Sequence, residues 1–151
     1  MKTPFTIQQF FEVFEKYNAS VFPAQFIIFL LGIFALYLLH SKGSKNNKNI
    51  GIILASFWFW IGIVYHITFF TAINKAAYFF GGIFIIQGAL ILLNAINNNF
   101  RFSFQSSFKG YLAYFFILFG LIIYPAIGYT MEGNFIETIS IGLPCPTTIF
   151  T

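Results

Sequence analysis

The chain carries two histidines, one cysteine and four carboxylates in 151 residues, so little of it is equipped for acid–base, nucleophilic or metal chemistry. His66 is the first candidate. It stands in an uncharged apolar run, about seven residues from the run's outer end and so roughly 10 Å below a bilayer boundary. Ionisable groups at that depth face a bundle interior or a wet cavity and are functional candidates by default. The competing reading is a neutral imidazole hydrogen-bonded to a neighbouring helix. Gln87 lies near the middle of the next run, with Asn94 seven residues on along the same face. A His66–Gln87 contact is expected, either as one wall of a polar site or as an ordinary interhelical amide bond. Tyr65, Tyr124 and Tyr129 would add hydroxyls, and Glu132 a carboxylate, to a polar site in the outer leaflet. Tyrosines near helix ends more often anchor at the membrane interface. Cys145, held between Pro144 and Pro146, could serve as a reactive thiol or a metal ligand. It has no partner cysteine or local histidine to support either role.

These residues define one candidate polar site of His66, Gln87, Tyr65, Asn94, Tyr124, Glu132 and Cys145, with no catalytic, cofactor-binding or metal set inside it. His40 and His66 lie toward opposite leaflets and cannot share a metal. There is no HExxH, no phosphate-binding glycine loop and no feasible Ser-His-Asp arrangement. Asp and Glu are missing from every apolar run, which argues against a carboxylate proton relay. No cofactor is expected.

The elements that must position these side chains follow from composition. Hydrophobic residues make up 58% and charged residues 8%, against about 45–50% and about 25% in soluble domains. Twelve charges cannot cover the surface of a soluble protein this size, whereas hydrocarbon solvent removes the need. The charges are also segregated between long uncharged runs, so the net charge of +4 marks loops. It forms no nucleic-acid-binding face. A single domain is expected.

Four runs are long enough to cross the ~30 Å hydrocarbon core: about 21–39, 50–73, 76–96 and 111–129. Asn74-Lys75 is so tight a link that the second and third spans must form an antiparallel hairpin. Gly81, Gly88 and Ala95 recur every seven residues on the third span, a stripe that suits close packing with another helix of this chain, a second copy or a membrane partner. Before the first span, residues 6–17 place Phe10, Phe11, Phe14 and Tyr17 at helical spacing. They read as an amphipathic helix in the interface plane, capped by Thr3 or Thr6 and broken at Asn18-Ala19-Ser20 and Pro23.

Lys42, Lys45 and Lys48 in the first loop, with Arg101 and Lys109 in the third, put those loops inside and the N-terminus on the non-cytoplasmic side. Pro125 should kink or end the fourth span and free a carbonyl near Leu121. The segment 139–151 turns apolar again around two prolines, which favours an extended, re-entrant entry or the start of a fifth span.

Several stretches together carry a resemblance: Pro4–Asn18 with Val21–Gln25, Tyr65–Asn74, Tyr124-Pro125 with Gly128-Tyr129, and Gly142–Thr151 (GLPCPTTIFT), the most specific of them. The chain resembles a family of multi-pass bacterial membrane proteins of unknown function, DUF6064. The resemblance spans the whole chain and implies a multi-pass architecture in the bacterial cytoplasmic (inner) membrane, continuing beyond Thr151. It implies no activity.

The expected fold is therefore an all-α membrane bundle of four spans preceded by an interfacial helix, with the lipid bilayer as its first partner. Three function classes remain open. The first is a non-catalytic interaction or assembly protein. The second is a binding or transport bundle for a small neutral or lipophilic ligand at His66 and Gln87. The third is a membrane enzyme using Cys145 or His66. A polar, water-reachable surface around His66 and Gln87 is what transport requires.

Overall fold

The computed structural model describes residues 5–132 and 142–151. Every regular element among them is helical. Helix α1 (Ile7–Val21) opens with a capping box. The Gln9 amide donates to Thr6 Oγ1 at 3.2 Å, and the Thr6 amide donates to Gln9 Oε1 at 2.9 Å. Two of the helix's orphan N–H groups are thereby satisfied, and Thr6 is the cap. The helix does not break at Asn18-Ala19-Ser20 as the sequence suggests. It runs on to Val21, because Asn18 is buried inside the structure, and ends there, ahead of the cis Phe22–Pro23 bond.

Helix α2 (Ala24–His40) leaves at 83° to α1. The first loop is shorter than expected, since α3 begins at Asn46. Asn46 Nδ2 donates to the carbonyls of Leu38 and Ser41 (both 2.9 Å) and so closes the α2–α3 turn. Helix α3 (Asn46–Trp60) continues as a π-helical stretch, Ile61–Phe69, and a 3₁₀ turn, Phe70–Ala72. Helix α4 (Ala77–Ile96) returns antiparallel. Helix α5 (Phe108–Leu118), capped by Ser107, passes through a second π-helical stretch, Phe119–Ile123, into α6 (Tyr124–Glu132). Pro125 therefore does not end this helix; the wider turns just before it absorb the lost hydrogen bond.

Among the described residues three stretches are long and apolar enough to cross a membrane, Asn46–Ala72, Ala77–Ile96 and Phe108–Thr130, and the count reaches four if the bent pair α1–α2 is one span. In the α3–α4 hairpin, the small-residue stripe meets small residues opposite. A Cβ on Gly81 would lie 2.9 Å from the Gly62 carbonyl oxygen, one on Gly88 3.3 Å from the Ala55 carbonyl oxygen, and one on Gly51 2.6 Å from the Ala95 Cβ. Backbones this close gain dispersion contacts that larger residues would block, which is how helices hold together where hydrophobicity gives no preference. The stripe is thus occupied by α3 of the same chain.

Helix α1 lies across the turn end of this hairpin. Its buried residues are Val13, Phe14, Tyr17 and Asn18, while Phe11, placed by spacing on the apolar face, stays 49% exposed. Phe14 stacks on Tyr65 (5.8 Å between centroids), and Tyr17 meets Tyr65 and Phe69 edge-on. The helix face is therefore satisfied by protein as well as by any interface.

Helix α7 (Pro144–Phe150) corrects the expectation of an extended segment. Pro144 and Pro146 stand in its first turn, where an N–H has no intrahelical partner to lose. The helix packs on the second π-helical stretch, with the Pro146 carbonyl oxygen 2.6 Å from where a Gly120 Cβ would stand. Residues 139–141 lie outside the described residues.

Candidate functional site

Two buried polar groups flank Tyr65 toward the turn end of the hairpin. The first is Tyr17, whose hydroxyl donates to the Gly142 carbonyl at 2.8 Å and accepts from Trp60 Nε1 at 2.6 Å. The Gly142 amide in turn donates to Thr147 Oγ1 at 2.8 Å. Gly142 has φ +107°, and a Cβ there would sit 3.2 Å from Ile28 Cδ1 and 3.3 Å from the Tyr17 oxygen. Glycine is required on both counts. Hydrogen bonds at this one backbone position pin three elements, α1, α3 and the α7 segment, with Ile28 of α2 packed beside them. Burial makes the pinning strong, since each of these donors and acceptors would cost about 1–3 kcal/mol if left alone.

The second group is His66, in the π-helical stretch. It is buried, and neither ring nitrogen has a hydrogen-bond partner. Its walls are aromatic: Phe84 at 5.0 Å, Tyr65 at 5.1 Å, Phe70 at 6.1 Å and Phe80 at 6.3 Å between ring centroids. The expected His66–Gln87 hydrogen bond is not formed. The glycine contacts set the hairpin register so that Gly62 faces Gly81 and Ala55 faces Gly88. Gln87 therefore lies near the level of Ala55, deeper than His66, and Phe84 fills the space between. Counting residues from the turn misjudges this depth, because the π and 3₁₀ segments change the rise per residue.

The other sequence candidates are dispersed. Asn94 donates to the Leu90 carbonyl at 2.8 Å and accepts from Asn99 at 3.1 Å, finishing the C-terminal end of α4 far from His66. Tyr124 is half-buried beside Phe119. Cys145 is exposed. The Glu132 side chain lies outside the described structure. His40 bonds the Tyr114 hydroxyl at the opposite end. Among the described residues no three His, Cys, Asp or Glu side chains converge as metal ligands.

Sequence reasoning misses Tyr17, Trp60 and Thr147 as a polar set. By spacing, Tyr17 belongs to an apolar helix face, and Trp60 is a tryptophan too deep for an interfacial belt. The one available signal is the Gly142–Thr151 segment, whose glycine and threonine are the receiving half of the network.

No curated protein and no solved structure matches the chain. Two of the stretches that carry the resemblance, Pro4–Asn18 and Gly142–Thr151, meet in this network. Residues 7–151 match a family of unknown function, and the chain belongs to that family, DUF6064.

Proposed function

We propose that this is a non-catalytic integral protein of a bacterial cytoplasmic membrane that works by assembling with another membrane protein along its fourth long helix. Its N-terminus lies on the non-cytoplasmic side. The observation that carries the assembly reading is how unevenly the long helices are packed. Half of the most apolar window of Asn46–Ala72 is buried within the chain, but only 11% of that in Phe108–Thr130. Helix α5 buries no residue at all. Lipid tails are as apolar as leucine, so helices associate in a bilayer through packing and hydrogen bonds. Its own chain holds α5 along one side, through Ile117 at the core's edge and the Tyr114–His40 bond, and leaves the rest of its surface open, which favours a helix from outside the chain.

The orientation draws support from the basic loops sharing one end. The Phe102 amide donates to Asn47 Oδ1 at 2.8 Å, tying the loop that carries Arg101 to the start of α3 beside Lys45 and Lys48. Transport of a water-borne solute draws no support from His66, whose ring neighbours are aromatic.

Cysteines placed singly at Leu112, Phe115 and Phe116, in a Cys145→Ser background, test the assembly reading by cross-linking in native membranes. A discrete adduct from one face of α5 is expected. If none of the three positions yields one, while each cysteine is alkylated by a lipid-soluble maleimide, the helix faces lipid and the reading fails.

A further inference from the structure

We propose that His66 anchors a binding site for an uncharged, flat, lipid-soluble molecule with a hydrogen-bond acceptor, of the quinone class, which enters from the bilayer past Phe80. The starting point is an imidazole more than nine-tenths buried with both nitrogens unpartnered. A neutral imidazole has one donor and one acceptor. Native structures leave few such groups unsatisfied, and those they do leave call for an explanation. A bound water is a poor one, because it needs about two to four polar partners and the ring walls here are aromatic.

The walls also narrow the ligand's chemistry. Phe84 lies tilted by 39° over the imidazole, and Phe80 by 36°, while Tyr65 and Phe70 meet it edge-on. Offset rings at such spacing are the surroundings a planar π-system favours. No charged residue occurs from Ile50 to Ile73 or from Ala76 to Ile96, so nothing would compensate a charged ligand. The route lies on the lipid side. Phe80 is 46% exposed and its neighbour Phe79 is 70% exposed, so the Phe80 ring can turn outward without losing a packed core position. The ligand ring would take its place, its carbonyl accepting from the imidazole N–H. A π-helical stretch of nine residues surrounds His66, and such departures from the α-helix recur at functional sites.

Trp58 supplies the reporter, since its ring is 5.0 Å from Phe84. The test uses the full chain in nanodiscs of phosphatidylethanolamine and phosphatidylglycerol, titrated with decylubiquinone, with tryptophan fluorescence and melting temperature followed together. Decylbenzene, which shares the tail but has no acceptor, is titrated in parallel. Saturable quenching and a raised melting temperature with decylubiquinone are expected, at an affinity at least tenfold above that of decylbenzene. His66→Leu should remove that advantage, and His66→Gln, whose amide still donates, should retain part of it. Equal behaviour of the two probes, or of wild type and His66→Leu, would mean simple partitioning into lipid and overturns the proposal, as does the absence of saturation. The probe comparison needs no variant to fold. Cross-linking along α5 is indifferent to all of these outcomes, so this site and the assembly reading stand or fall separately.

Discussion

Tyr17 and His66 are buried on either side of Tyr65, with ring centroids 5.5 and 5.1 Å from it. Tyr17 sits in a connected set of hydrogen bonds to Trp60 and Gly142, continued to Thr147. His66 is likewise enclosed and has no hydrogen bond. The first arrangement is what stability favours: every group that lost water gained a partner, and the low dielectric strengthens each bond. The second arrangement works against stability, since a buried donor without a partner costs about 1–3 kcal/mol. Two polar groups so close in the fold, handled so differently, separate a structural fastening from a place kept for something else.

That contrast can be broken most directly at Gly142. Gly142→Ala adds a Cβ at a φ that L-residues rarely adopt and pushes it toward Ile28 and the Tyr17 oxygen. Destabilisation of about 3 kcal/mol is expected from strain and crowding together, measured by thermal unfolding in detergent. A change below about 0.5 kcal/mol, the scale of an ordinary surface substitution, would show that the segment is not fastened here. Tyr17→Phe comes next, at about 1–2 kcal/mol, because it leaves the Gly142 carbonyl and the Trp60 N–H alone in a buried site. A variant as stable as wild type would mean that water reaches these groups.

The smallest effect has the opposite sign. His66→Leu removes an unpaired polar group and should raise stability by about 1 kcal/mol. Combined with Gln87→Leu, the effects should add to within about 0.5 kcal/mol, since the two side chains share no bond. A loss of stability on His66→Leu, with a double variant milder than the sum, would restore the packing role and remove the contrast with Tyr17.

Much of the architecture is legible in the sequence. The long helices stand out because a charge inside a run of twenty or so apolar residues is costly in lipid, so its absence is a strong and local signal. The hairpin follows because Asn74-Lys75 leaves no length for any other connection. The seven-residue spacing of Gly81, Gly88 and Ala95 marks a packing face, since that spacing returns to one side of a helix. The identity of the packing partner is not in the pattern. A stripe of small residues fits any close helix, and Gly51, Ala55 and Gly62 show a complementary stripe only once the register is known.

The network is legible only in halves. Tyr17 and Gly142 are 125 positions apart, and a hydrogen bond across that separation leaves no periodicity in either segment. The same holds for Asn94, which shares a face with Gln87 but spends its amide on its own helix. The prolines around Cys145 read as helix breakers, although their position in a first turn makes them compatible with a helix start.

By itself the sequence determined that the chain folds into long apolar helices and which residues could ever titrate inside them. Those properties depend on the transfer of each segment between water and an apolar phase, which is a sum over neighbouring residues. Tertiary structure alone decided that Tyr17 would be satisfied and His66 would not. Hydrogen bonding depends on where distant groups arrive to within tenths of an ångström, and here the glycine-set register of α3 on α4 and the docking of α1 and α7 over its end made that choice.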